Sequence, residues 1–226
     1  LVDLDASAPV AKLDLKIAGK NIGYLPGSGD AIPEALTNIG FKVTELDKDD
    51  ITTGDLSRFD AIVVGIRAYN TNADMANIQP RFMDYVKKGG TLVAQYNTSR
   101  GLTIPMTEIG PYPMQLSRDR TTVEEAEVRI LKPDHRVLNY PNKITSKDFD
   151  GWVQERGLYF PNNWDERYTA ILSSNDPGED PHDGGLLVAE YGEGHYVYTG
   201  YSFFRELPAG VPGAYRLFAN LVGFGN

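Results

Sequence analysis

Ala61-Ile-Val-Val-Gly-Ile66, an amphipathic stretch from about Asn77 to Lys88, and Thr91-Leu-Val-Ala-Gln-Tyr96 together decide the fold. The two outer pieces are apolar at consecutive positions, the pattern of a strand covered on both faces, whereas a strand with one wet face alternates. Between them Ile78, Phe82, Tyr85 and Val86 recur at helical spacing, and Gly89-Gly90 supplies the stop. Strand, helix and strand in that order predict a parallel pair joined by a helical crossover.

The same grammar extends toward the N-terminus. Lys20-Asn-Ile-Gly-Tyr-Leu-Pro26 reads as a buried strand, and Gly27-Ser28-Gly29-Asp30 as a tight turn. Asp30 is placed to cap a helix carrying Ile32, Leu36 and Ile39, with Pro33 tolerated in the first turn and Gly40 at the end. Phe41 to Leu46 then alternates as the next strand. Toward the C-terminus, residues 97 to 120 read as irregular, Glu127 to Leu131 alternates, and a long polar and aromatic stretch from Pro133 to Arg167 leads to Thr169-Ala-Ile-Leu172. Leu186 to Glu190 and Gly194 to Thr199 form a hairpin pattern, and a final helix is expected over about Gly213 to Val222. The expected fold is α/β, a doubly wound, mostly parallel sheet with an added antiparallel hairpin. Residues 20–226 read as one domain, and residues 1–19 as a linker or edge strand.

Composition narrows the function. The 226 residues carry a net charge of −9, which argues against nucleic acid or an anionic membrane surface as partner, since both call for basic surface. No stretch approaches the roughly 18 to 20 apolar residues of a membrane span. Cysteine is absent, which removes disulfides, thiolate metal sites and thiol nucleophiles together. The chain opens Leu1, Val2, Asp3, without an initiating Met or a signal-like stretch, and is read as a piece of a longer protein.

Open α/β sheets bind ligands beyond the carboxyl ends of their strands. Ser28 and Asp30, Arg67 with Tyr69 and Asn70, and Gln95 with Asn97, Ser99 and Arg100 all fall at such ends and are expected on one rim. Asp30 as a plain helix cap, and the asparagines as turn formers, are the competing reading. Arg67 and Arg100 together favour a carboxylate, phosphate or acidic sugar. Trp152 and Trp164, within an aromatic run that also holds Tyr159, Phe160 and Tyr168, suit stacking on a sugar, although a core or a homo-oligomer interface is enriched in the same rings. His195 stands on the same strand face as Val197, and a packed histidine competes there with a general base. The acidic loop from Asn175 to Asp183 lacks the spacing that orders oxygen ligands around Ca²⁺ and reads as solvated, so neither a metal nor a cofactor is expected.

Tyr85-Val-Lys-Lys-Gly-Gly-Thr-Leu-Val-Ala-Gln95 resembles the helix-to-strand element of class I glutamine amidotransferase-like domains, particularly the trehalose-utilisation, ThuA-like branch. Pro133-Asp-His-Arg-Val-Leu138, Gln154-Glu-Arg-Gly-Leu-Tyr159 and Gly192-Glu-Gly-His-Tyr-Val-Tyr-Thr199 resemble later elements of that branch, in the same order. Gly151-Trp-Val-Gln-Glu-Arg-Gly-Leu-Tyr-Phe160 and Phe203 to Tyr215 are also similar to the amidotransferase-like domain that follows some LmbE/PIG-L family deacetylases. The resemblance implies a flavodoxin-like fold, an N-terminal deacetylase domain as partner in the same chain, and a periplasmic or secreted address.

In an active member of this superfamily a cysteine on a strained turn after a central strand attacks the amide, and a histidine takes the proton. The matching positions here hold Gln95, Tyr96 and Asn97, none of them a competent nucleophile, so no glutaminase activity is expected. Ser99 is the nearest substitute, but Asn97-Thr-Ser-Arg-Gly101 is not a nucleophile elbow of the Gly-x-Ser-x-Gly kind. Two readings follow. One is a non-catalytic accessory domain that binds carbohydrate. The other is a hydrolase acting on an ester, amide or sugar conjugate through Ser99 or a His-carboxylate site that uses His195.

Overall fold

The computed structural model describes residues 13–226. Its elements are β1 (Asn21–Leu25), α1 (Ile32–Asn38), β2 (Lys42–Glu45), α2 (Lys48–Thr53), β3 (Ala61–Val64), α3 (Ala68–Thr71), α4 (Met75–Lys87), β4 (Thr91–Gln95), β5 (Met114–Thr121) and β6 (Val128–Ile130). They continue with β7 (Gly157–Trp164), β8 (Tyr168–Ser174), β9 (His182–Tyr191), β10 (Gly194–Thr199), α5 (Phe203–Glu206) and α6 (Pro212–Gly223).

Eight strands form one sheet in the order β2-β1-β3-β4-β10-β9-β8-β6, and β5 pairs with β7 in a separate two-stranded ribbon. From β2 to β10 the neighbours are parallel, and from β10 to β6 they are antiparallel. The sheet is doubly wound because alternate side chains of its central strands enter different cores. Ile22, Val63, Val93 and Val197 face one side with Leu36, Leu217, Phe218 and Leu221. Leu25, Ile62, Val64, Leu92, Tyr196 and Tyr198 face the other with Ile78, Phe82, Tyr85 and Val86. Two-sided burial is why these strands read as continuous apolar runs.

Helix α4 begins two residues before the expected start and contains Pro80. It ends where Gly89 takes φ of 108°, a conformation that suits only glycine without strain. The antiparallel part exceeds the expected hairpin: β8 and β6 extend it to the sheet edge. Two stretches read as irregular or polar contain strands: β5 begins within 97 to 120 and ends one residue beyond it, and β7 lies within 133 to 167. Their pairing is broken by register shifts, so neither displays a sustained period of two. Of the expected 1–19 segment, residues 1–12 lie outside the described residues, and residues 13–19 form no strand. That segment is tied to the domain instead, through Lys16, whose backbone N–H donates to Asn142 Oδ1 at 2.9 Å, and through Asp14, whose carbonyl accepts from Arg216.

Candidate functional site

The carboxyl ends of β1, β3, β4 and β10 meet at one edge of the sheet, beside the point where the strand order reverses direction between β1 and β3. Directly after β4, Tyr96 takes φ of 37°, and three residues beyond the end of β3, Arg67 takes φ of 55°. Left-handed backbone at non-glycine residues costs on the order of 1–3 kcal/mol each and concentrates at functional sites. Arg67 N–H donates to the Tyr96 carbonyl at 3.0 Å, and Tyr96 N–H to the Thr199 carbonyl at 2.8 Å, so β3, β4 and β10 are laced together at the strained turn.

The Tyr96 ring packs edge-on to Phe204 at 4.8 Å and Tyr159 at 5.8 Å between centroids. Its hydroxyl donates to Glu155 Oε1 at 3.3 Å. The same oxygen accepts from Ser202 Oγ at 2.9 Å and from Arg205 Nε at 3.2 Å. Arg205 also donates to Gln154 Oε1. Gln154 and Tyr159 share the positive φ of Arg67 and Tyr96, so the four non-glycine residues with that backbone among the described residues all belong to this patch. Burial, followed by the negative charge of Glu155, pushes the Tyr96 phenol well above its usual range. It therefore remains a protonated donor.

The expected rim forms, held by hydrogen bonds that also consume much of its polar capacity. Asn70 Nδ2 donates to the carbonyls of Thr98 and Arg100, and its Oδ1 accepts from Thr98 N–H. Asp30 accepts from Tyr24 Oη at 2.6 Å, Ile32 N–H at 2.9 Å and Ile66 N–H at 3.3 Å, which ties β1, α1 and β3. Ser28 is exposed, with its N–H on the Ile66 carbonyl. Arg67 and Arg100 are exposed, and neither guanidinium forms a hydrogen bond or ion pair among the described residues. Asn70 brings them together, because its side chain holds the Arg100 backbone while its N–H donates to the Arg67 carbonyl.

Several expected positions are corrected. Tyr69, Gln95 and Asn97 are buried and do not reach the surface of the rim. Tyr69 donates to Gln79, and Asn97 braces the turn by accepting from Tyr69 N–H and donating to the Gln95 carbonyl. Trp152 belongs to the core on one side of the sheet and Trp164 packs against the core on the other, so the two indoles share no platform. The rings at the rim are Tyr159 and Phe204. His195 cannot serve Ser99: the register pairs it with Thr91 at the opposite end of β4, four residues or ~13 Å from the Thr199–Gln95 pair. It packs on Phe224 at 4.7 Å, and burial lowers its pKa. In the acidic loop Asp176 is occupied by Thr122 and the Val123 N–H, and no group of three or more metal-ligating side chains forms among the described residues.

Sequence reasoning placed Tyr96, with Gln95 and Asn97, at the position that matches the nucleophile of the superfamily the chain resembles, without distinguishing it from its neighbours. It did not assign Glu155, Ser202 or Arg205 at all. For Glu155 and Arg205 the signal lay in the two segments, 151–160 and 203–215, that resemble the deacetylase-associated domains; Ser202 immediately precedes the second.

No family model matches the sequence, and no curated protein sequence matches it. Solved structures do match in shape. PurLQS of Thermotoga maritima superposes with a TM-score of 0.60 at 13% identity, covering 90% of this chain and 97% of that one. A cytoplasmic protein of Salmonella typhimurium gives 0.57 at 16% identity, covering 91% and 98%. A ThuA-like protein of Bacteroides uniformis gives 0.50 at 12% identity, covering 97% and 95%. The fold is thus of the class I amidotransferase-like, ThuA-like kind, as the sequence resemblance implied.

Proposed function

We propose that this chain is a non-catalytic binding domain on an amidotransferase-like scaffold, an accessory to an LmbE/PIG-L type deacetylase, and that it holds an anionic carbohydrate at the carboxyl rim. The observation that carries this reading is Tyr96. The turn after β4 matches in sequence position the nucleophile turn of the superfamily that the chain resembles, and it is strained, yet it presents a buried phenol bonded to Glu155. Strain kept without a nucleophile serves shape, and here it places Arg67 beside Arg100 with Tyr159 and Phe204 nearby. Unpaired guanidinium groups supply bidentate donors for a carboxylate or phosphate, and half-buried rings supply a face for C–H groups. The segments that surround Tyr96 are also those that resemble the deacetylase-associated domains, which supports the accessory role. The hydrolase reading has no such support: Ser99 has neither a histidine partner nor an elbow geometry.

Calorimetric titration with glucuronic acid, glucosamine, N-acetylglucosamine and short glycans tests the proposal. The acidic sugar is expected to bind, and the Arg67→Ala, Arg100→Ala double variant to lose roughly ten-fold or more in affinity with no change in melting temperature. Absence of heat with every acidic glycan rejects the ligand class. Turnover of an ester, amide or glycoside that disappears in Ser99→Ala rejects the non-catalytic reading.

A further inference from the structure

Segment 149–156, which leads from the rim network back toward the core, borders a second recess of about 430 Å³. Arg156 lines it, yet is only 5% exposed. Its Nε donates to the Ala126 carbonyl at 3.0 Å and its Nη1 to the Phe149 carbonyl at 2.5 Å. Its Nη2 forms no hydrogen bond, and no carboxylate lies within ion-pair distance of the guanidinium among the described residues. Burial disfavours the charge on this guanidinium, and no ion-paired carboxylate among the described residues offsets that. Glu206 offsets it only in part, acting on Arg156 without an ion pair. That carboxyl is fully buried, with one oxygen on Val153 N–H and the other without a partner, and burial pushes it up to about 7.

The mouth of the recess has the opposite sign. Glu124 accepts the Gln154 N–H, while Glu125 and Asp150 are exposed, form no ion pair among the described residues, and lie within electrostatic reach of Arg156. A simple anion seeking Arg156 meets two free carboxylates, and a simple cation attracted by the carboxylates meets Arg156. Phe149, Trp152 and Val153 provide apolar wall between the two charges.

We propose that this recess binds a small zwitterion of the α-amino acid class. The ligand carboxylate sits on Arg156 Nη2, its ammonium faces Glu125 and Asp150, and an apolar side chain packs against Phe149, Trp152 and Val153. This site is separate from the rim and does not depend on the reading of the rim as a carbohydrate site.

Trp152 and Trp164 are the two tryptophans of the chain, so a Trp164→Phe background leaves Trp152 as the reporter inside the recess. Fluorescence titration with L-leucine and L-phenylalanine is expected to saturate. N-acetyl-L-leucine, which lacks the cation, and L-leucine methyl ester, which lacks the anion, are expected to bind roughly ten-fold more weakly. Neutralising the mouth with Glu125→Gln and Asp150→Asn, both on exposed side chains, is expected to bring N-acetyl-L-leucine level with L-leucine. Arg156→Lys is expected to lose leucine binding, with a thermal melt to separate that loss from unfolding. The Arg67→Ala, Arg100→Ala variant is expected to bind leucine unchanged, which separates this site from the rim. Failure of both amino acids to bind, or N-acetyl-L-leucine binding as tightly as L-leucine to the unaltered recess, overturns the proposal.

Discussion

Glu206 illustrates how one residue links burial to pH. Its carboxyl is pushed from 4.5 up to about 7 chiefly by burial, with the Val153 N–H and Arg156 opposing. A folded-state pKa above the unfolded one means the folded chain binds the extra proton, so stability falls as pH rises from about 5 to about 7 and then levels off. The shift corresponds to about 3 kcal/mol of stability lost across that window. Glu206→Gln removes the ionisation, and urea denaturation between pH 5 and pH 8 is expected to show a flatter stability profile than the parent chain. An unchanged profile would place the titration elsewhere. At the rim the same scale holds a different lesson: the absence of a thiol nucleophile was plain from composition, because the sequence holds no cysteine. That Tyr96 takes the strained position was not readable, because φ at a strand end is set by how Arg67, Tyr96 and Thr199 bond to one another across three strands.

Elements with strong periodicity formed as read, and the pair β5 and β7, whose register is repeatedly shifted, did not. Helix α4 owes its place to Ile78, Phe82, Tyr85 and Val86, all buried, rather than to its local propensity. Pro80 sits in its interior, where it removes one backbone donor and crowds the carbonyl of Ala76. Packing of the apolar stripe offsets that local cost. Pro80 is exposed, so Pro80→Ala restores the hydrogen bond without disturbing the core, and a gain of about 1–3 kcal/mol is expected in thermal or urea unfolding. A loss instead would show that a bend imposed by the proline is needed for α4 to pack. Strands β5 and β7 show the opposite balance. Each has few locally favourable signals, and each exists because the other is opposite it.

At the scale of the whole molecule, two cores share one sheet. Trp152 reports on one core and Trp164 on the other, because they lie on opposite sides of that sheet. Strands β1, β3, β4 and β10 contribute side chains to both, so neither core can dissolve without exposing the other. Single-tryptophan variants, Trp152→Phe and Trp164→Phe, are therefore expected to report coincident urea midpoints once the stability change of each substitution is measured by far-ultraviolet circular dichroism. Separate midpoints within one variant by fluorescence and circular dichroism would mean that the faces unfold independently. The sequence by itself determined the parallel half of the sheet, its covering helices, the terminal hairpin and the absence of a thiol nucleophile, because runs, periods and composition are local and survive without knowledge of partners. Only the tertiary structure decided that Tyr96, Glu155, Ser202 and Arg205 meet, that Trp152 and Trp164 part, and that Arg156 is buried with no ion-paired carboxylate among the described residues. Those outcomes depend on loops whose course is set by the sheet they cross, and nothing in their own residues specifies where that sheet will place them.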